Sequence, residues 1–226
     1  MEQRKLTSAD IDRVRDIEGF PIATDEAIIE LSDAPYYTAC PNPFIEEFIT
    51  ENGTPYEEVG DTYQREPFTA DVSEGKHDPL YMAHSYHTKV PYKAIMRYLL
   101  HYTKPGDIVL DGFCGTGMTG AAALMCADLP TCLGIGETDV NNIGARHAIL
   151  TDLSPEATFI AKNYNSEVDI SAFEQAANDV LRVLHDSCDW VYSTDVPGSN
   201  AKATINYTIW SEQYICPACS REFSYW

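Results

Sequence analysis

The sequence predicts an α/β fold, a doubly wound sheet followed by a small C-terminal β segment. Three observations predict it. A short apolar run, Ile108-Val109-Leu110, feeds a glycine-rich turn and then a helix-forming stretch, Ala121 to Ala127. A second run, Ala148-Ile149-Leu150, stops at Asp152 and is followed by Ser154-Pro155, the signature of a helix start. Beyond Asp186 the chain changes to aromatic and β-branched residues around a Gly/Ser/Asn turn and reaches Cys216-Pro-Ala-Cys219. Strand, helix, strand, helix at this spacing is the pattern of parallel strands joined by crossover helices.

In chain order, residues 1–30 mix charge with helical periodicity, and Ala27-Ile-Ile-Glu-Leu31 reads as a strand. Residues 33–91 carry Pro at 35, 41, 43, 55, 67, 79 and 91, so they read as loop. Tyr92, Ile95, Met96, Leu99 and Tyr102 recur at helical spacing after Pro91. Lys104-Pro105-Gly106 is a turn. Ile108 to Leu110 is continuous and apolar, as expected of a buried parallel strand. Residues 128–146 read as an inserted loop. A helix is expected from Pro155 to about residue 163. Ser171 with Glu174 forms a capping box for another helix, whose apolar face is Phe173, Ala177, Val180, Leu181 and Leu184. Trp190-Val-Tyr and Ile205 to Trp210 read as antiparallel strands. The organisation is an irregular arm over 1–83, an α/β domain over 84–187 and a small module over 188–226.

Composition narrows the function classes. With 44% apolar and 11% aromatic residues, the 226-residue chain can bury a core. Its 35 acidic and 15 basic residues argue against a bare DNA-binding module, which shows a basic face. Lys and Arg are thinly spread, and no basic groove is legible in the sequence. Seven Cys with a single CxxC pair do not form a disulfide framework. The N-terminus has no apolar signal region, and the longest apolar run is too short for a bilayer span. These features predict a soluble cytoplasmic protein without a membrane partner; the oligomeric state is not legible.

The chemistry concentrates at Asp111-Gly-Phe-Cys-Gly-Thr-Gly117-Met-Thr-Gly120. The bare GxGxxG pattern suits a tight strand-to-helix turn or a nicotinamide dinucleotide site. Asp111 stands at the strand end where nicotinamide sites put the first Gly, so that the pyrophosphate can reach the helix N-terminus, and so disfavours that class. The gap from Gly117 to Asp152 is 35 residues, longer than the roughly 20 of a dinucleotide fold. A ligand with an ammonium, a sulfonium and ribose hydroxyls is the better complement to Asp111 and Asp152, and S-adenosylmethionine is such a ligand.

These residues resemble the DNA amino-methyltransferases. Residues 111–120 are similar to their D-P-F-C-G-S-G-T-T loop. His87-Thr-Lys89-Val-Pro91 resembles the H-P-x-x-K-P segment placed just before that loop, and Asp152-Leu-Ser-Pro-Glu156 resembles their acidic residue and helix start. The resemblance covers about residues 84–165. It implies a Rossmann-like S-adenosylmethionine-binding methyltransferase sheet, in whole or in part, and DNA as partner. It assigns Lys89, Asp111, Phe113, Cys114, Gly115, Gly117, Asp152 and Ser154 to the cofactor. Asp152 would take the ribose, and Phe113 would pack near the adenine or the methionine stem. Gly112 departs from the family, which has Pro there.

Methylation of an exocyclic amine needs an acceptor for the amine protons and a ring to hold the flipped base. The family supplies both in a D/N/S-P-P-Y/F/W motif. The nearest match is Asp33-Ala34-Pro35-Tyr36, making Asp33, Pro35 and Tyr36 the candidate catalytic residues, with Ala34 replacing a Pro. Alternatively the motif lies beyond Trp226. Cys216 and Cys219 are candidate zinc ligands of a segment resembling half a zinc ribbon, but a structural zinc takes four ligands and no second pair follows. The reading is a methyltransferase acting on adenine N6 or cytosine N4 of DNA. A non-catalytic cofactor- or DNA-binding fragment and a nicotinamide-dependent oxidoreductase are the alternatives.

Overall fold

The computed structural model describes residues 3–55, 57–71 and 75–225. The chain divides into two compact units, Met1–Ser166 and Glu167–Trp226.

The first unit opens with α1 (Ser8–Asp12), capped by Thr7 and Asp10 in a reciprocal capping box. Arg4 clamps the Asp10 carboxylate at 2.8 and 2.9 Å, which holds that carboxyl far below the usual range. Then come α2 (Asp25–Leu31), α3 (Ile45–Asn52) and α4 (Pro79–Met82). The strand expected at Ala27–Leu31 is thus a helix. Thr24 accepts a hydrogen bond from the Ala27 N–H, and Asp25 and Glu26 fill the first turn. This cap and charge arrangement fixes a helix over a short apolar run that periodicity alone cannot assign. Leu6, Ile11, Ile28, Ala34 and Phe44 form a small core under this arm.

The main core lies between α5 (Tyr92–Tyr102) and α6 (Met118–Met125). Tyr92, Met96, Leu99 and Leu100 of α5 pack against Met118 and Ala121 to Ala123 of α6. The alanines let the two helices approach closely. Between them runs β1 (Ile108–Asp111), which pairs in parallel with β2 (His147–Leu150), Val109 opposite Ala148 and Asp111 opposite Leu150. Among the described residues this parallel sheet has two strands, so the architecture is mixed α/β with small sheets rather than an extended doubly wound one.

Residues 128–146, expected to be an inserted loop, are folded. They contain α7 (Leu129–Gly134), capped by Asp128, and a 3-10 turn at Val140–Asn142. Arg146, 2% exposed, pins them: its guanidinium donates to Thr103, Asn142 and Gly144 oxygens. A buried guanidinium satisfied by that many acceptors fixes its surroundings firmly. The unit closes with α8 (Pro155–Tyr164), whose Ser154 cap accepts from the Ala157 N–H as the sequence suggests.

The second unit holds α9 (Ile170–Cys188) and two antiparallel hairpins, β3 (Ser193–Asp195) with β4 (Lys202–Thr204) and β5 (Gln213–Ile215) with β6 (Glu222–Ser224). Its helix begins earlier than the expected capping box, because Asp169 rather than Ser171 accepts from the Ala172 N–H. Trp190 to Tyr192 lie in a 3-10 turn, Asp189–Tyr192, and not in a strand. Residues 205–210 are likewise not a strand; the ladder partners lie on either side of them.

Candidate functional site

β1 ends on the Asp111 carboxylate, and Asp152 lies two residues beyond the end of β2. The Asp111 carboxylate accepts from the Phe113 N–H at 3.1 Å and from the Thr119 hydroxyl at 2.5 Å. Asp152 reaches across to the glycine loop. Its Oδ2 accepts from the Gly115 N–H at 2.9 Å, and its Oδ1 accepts from the Ser154 N–H at 2.9 Å. The loop is therefore stitched to the end of β2 by the side chain that the sequence singles out.

Backbone conformation and crowding require glycine at two positions of the loop. Gly117 caps α6 in the left-handed region at φ +81°, and a Cβ there would meet Ala161 Cβ at 2.8 Å and Asn165 Nδ2 at 2.7 Å. Gly115 has φ +52° and sits under Tyr86, whose Cε1 would lie 3.1 Å from an added Cβ. Gly112 is in open space, with nothing within 4 Å of an added Cβ. Its replacement of the family's Pro is thus not forced by crowding.

Phe113 is 84% exposed and Leu153 92% exposed, one beyond the end of each strand. Core packing of Phe113 is excluded by that figure. Cys114 is buried instead, and burial beside Asp111 and Asp152 pushes its thiol up to about 11, so it is an inert apolar filler.

The segment before α5 grips the loop from one side. His84 Nε2 lies 2.7 Å from Thr116 Oγ1, in the middle of the glycine turn, and Thr116 is 1% exposed. His84 Nδ1 is buried without a partner among the described residues. Burial and the nearby Lys89 ammonium hold the His84 imidazole below its ordinary value, hence neutral. Lys89 itself donates to the Tyr81 and His84 carbonyls and lies 4.3 Å from the Tyr81 ring centroid. Its ammonium closes the 81–89 turn rather than facing Asp111 or Asp152. Tyr81, His84, Tyr86, His87 and Lys89 line a cleft of about 600 Å³. His84, Tyr86, Thr116, Thr119 and Asn165 escaped sequence reasoning. Thr116 and Thr119 lie inside the quoted loop, but nothing at sequence level marks their partners.

Asp33 sits in a turn closed by reciprocal backbone bonds with Tyr37, at 2.9 and 3.0 Å. Its carboxylate accepts from Gln3 at 2.6 Å and pairs with Lys162 of α8 at 3.1 Å. These donors hold it below the usual carboxylate range. Pro35 carries the carbonyl that accepts from Asn42 Nδ2, and the Tyr36 ring is 65% exposed. Ala161, beside Gly117, immediately precedes Lys162, so α8 links the Asp33 turn to the glycine loop.

In the second unit Cys216 and Cys219 lie at the β5–β6 turn. The Ala218 and Cys219 N–H groups, together with the Cys219 side chain, hold the Cys216 thiol below its ordinary value. That favours a thiolate, but no group of three or more His, Cys, Asp or Glu suited to a metal exists among the described residues. The pair alone does not fit a structural zinc.

The left-handed glycines, the paired carboxylates at the strand ends and the exposed apolar side chains beside them fit the ammonium, ribose and adenine of S-adenosylmethionine. Consistent with that fit, a DNA methylase family model matches residues 36–163. The chain belongs to this family, the N6-adenine and N4-cytosine DNA methyltransferases, whose members use S-adenosylmethionine and act on DNA. No curated protein and no solved structure matches the chain. The matched segment contains the whole glycine loop, Lys89, Asp152 and Ser154. It begins at Tyr36, so Asp33 and Pro35 fall just before it, and Cys216 and Cys219 fall after it. No helix among the described residues is long and apolar enough to cross a membrane.

Proposed function

We propose that the chain binds S-adenosylmethionine at the ends of β1 and β2, in a Rossmann-like arrangement, and presents its methyl group to an exocyclic amine of a DNA base. The observation that carries this is the Asp152 carboxylate bridging to the Gly115 N–H at 2.9 Å, with Asp111 at the end of the neighbouring strand. Asp152 then offers an acceptor for the ribose hydroxyls, Asp111 an anion for the ammonium, and Phe113 and Leu153 apolar surface for the adenine. Gly115 and Gly117 allow close backbone approach, and Cys114 and Ser154 set the loop and the helix start around it. Lys89 acts indirectly, by holding the turn that carries His84. When bound, the cofactor supplies an activated methyl on its sulfonium. The protein's part is to hold donor and acceptor in line.

Asp33, Pro35 and Tyr36 are the proposed amine-binding residues. An ionised Asp33 accepts from the base amine, and the exposed Tyr36 ring offers a stacking face. A second reading is favoured by one observation. The Asp33 carboxylate is already engaged by Gln3 and Lys162, which suits a chain that binds cofactor and DNA without turnover. The location proposed with this role is the cytoplasm, together with the DNA.

Calorimetry with S-adenosylhomocysteine and with NAD tests the cofactor class. S-adenosylhomocysteine is expected to bind and NAD is not. Labelled-methyl transfer to unmethylated DNA tests catalysis: turnover that disappears in Asp33→Ala supports the amine-binding role, whereas cofactor binding without turnover supports the second reading.

A further inference from the structure

A second cleft, of about 590 Å³, opens between the C-terminal part of α5 and residues 135–142. It lies at the other end of β1 from the glycine loop, because Lys104 and Pro105 precede the strand and the loop follows it. A four-residue strand separates them by about 13 Å, so this cleft is not part of the cofactor site.

Arg65, Arg97 and Lys104 line it, three of only 15 Lys and Arg in a chain of formal charge −20. Their placement is built. Arg65 sits on an extended strap fastened on both sides. Before it, the Tyr63 hydroxyl donates to the Tyr102 carbonyl at 2.8 Å; after it, His101 Nε2 meets the Glu66 carbonyl at 2.8 Å. Phe68 stacks on His101 with centroids 4.9 Å apart. Arg97 is anchored by donating to the Ile135 carbonyl at 2.6 Å. Lys104 is set by a turn in which Asp107 accepts from its N–H at 2.7 Å. Yet the Arg65 guanidinium and the Lys104 ammonium have no partner among the described residues.

The two carboxylates on the lining, Glu137 and Asp139, keep their charge but are held by neutral N–H donors rather than by Arg65 or Lys104. Glu137 accepts from the Thr138 and Asp139 N–H groups at 2.8 Å and from Asn142 at 3.0 Å. Asp139 accepts from the Asn141 N–H and side chain. The negative end of α5 is also covered: Leu99, Leu100 and Tyr102 carbonyls accept from Thr103, Asn142 and Tyr63. Three cationic side chains against two carboxylates leave the lining net positive, in contrast to the chain as a whole.

We propose that this cleft binds a phosphate, with Arg65 and Lys104 as its principal ligands and Arg97 behind them. Guanidinium and ammonium groups held in a cleft suit phosphate oxygens. Two sources share that chemistry: the backbone of DNA, an assignment that rests on the methylase reading, and a free nucleoside phosphate, which does not.

The test compares the full chain with its Arg65→Gln/Lys104→Gln variant. A short labelled DNA duplex is titrated by anisotropy across a salt series, and ATP and inorganic phosphate by calorimetry. Lys5→Gln/Arg13→Gln, on the N-terminal arm, controls for the same change in net charge. We expect the cleft variant to lose roughly tenfold or more in affinity and, with the duplex, about 2 in the slope of log K against log salt. Loss in the duplex arm identifies the DNA backbone; loss in the ATP arm alone identifies a nucleotide. Equal binding by wild type, control and cleft variant in every arm, or no phosphate-bearing ligand bound by wild type at low salt, overturns the proposal. S-adenosylhomocysteine binding is measured in parallel. If it is absent while the phosphate arms respond, the cofactor reading fails and the phosphate site stands.

Discussion

Lys162 Nζ lies 3.1 Å from the Asp33 carboxylate, so the helix that starts just beyond Asp152 ends on the turn carrying Asp33. Neighbouring Ala161 packs against Gly117. One helix therefore sets the distance between the glycine loop and the candidate amine-binding turn. Lys162→Met is expected to raise the Asp33 carboxyl toward its ordinary value, as followed by carboxyl NMR. The pair is partly exposed, so the stability lost at neutral pH is at most about 1 kcal/mol. The sign follows from the depressed folded-state value. The contribution is present above the unfolded carboxylate range and disappears as pH falls through the folded one. The two proteins should converge in stability at acid pH, and an unchanged Asp33 titration contradicts the contact.

His84 and Thr116 supply the second prediction. His84→Ala leaves a hydroxyl that is 1% exposed without its partner, which costs about 1–3 kcal/mol. The folded imidazole is held below its ordinary value, so its share of stability is full above the unfolded value of about 6.5. That share is lost as pH falls through the folded one. Denaturant melts between pH 7 and pH 5 should show a steeper loss for wild type than for His84→Ala. Parallel curves contradict the assignment.

The glycines divide into one that is needed and one that is not. Gly117→Ala places a Cβ under 3.0 Å from Ala161 and Asn165 at a left-handed φ, and should cost at least about 1 kcal/mol together with cofactor affinity. Gly112→Ala meets nothing within 4 Å. It should be neutral or stabilise by about 0.4–1 kcal/mol through the unfolded chain. Thermal melts of the two variants check both; equal destabilisation would contradict the geometry.

Zinc at Cys216 and Cys219 is expected to be weak, since the described residues offer no third ligand. Metal analysis after dialysis against a mild chelator should find less than one zinc per chain. Stoichiometric retention would show that further ligands complete the site.

The shape of the glycine loop is legible in the sequence because it is set locally: Asp111, the glycines and the Ser154 cap lie in short runs whose residue types dictate backbone shape. The helix at α5 was legible for the same reason, from periodicity. What stayed hidden depends on contacts between distant segments. His84 meets Thr116, Lys89 turns back onto its own segment's carbonyls, and Lys162 finds Asp33 only once α8 has formed. The basic cleft belongs to the same class. Arg65, Arg97 and Lys104 are scattered in sequence, and only the tyrosine-fastened strap gathers them. Ala27–Leu31 is helical, against the strand that its short apolar run suggests, because Thr24 and two acidic residues outweigh that run. Residues 128–146 do not show their fold in the sequence, because the buried Arg146 that organises them looks there like any surface arginine.

The most direct test of the central claim is calorimetric titration of S-adenosylhomocysteine into wild type and Asp152→Ala. Removing the carboxylate takes away the proposed ribose acceptor and releases the Gly115 N–H that it holds at 2.9 Å. The account predicts binding to wild type and a loss of about 1–3 kcal/mol in the variant, roughly 5- to 150-fold in affinity. Unchanged affinity in Asp152→Ala would contradict it.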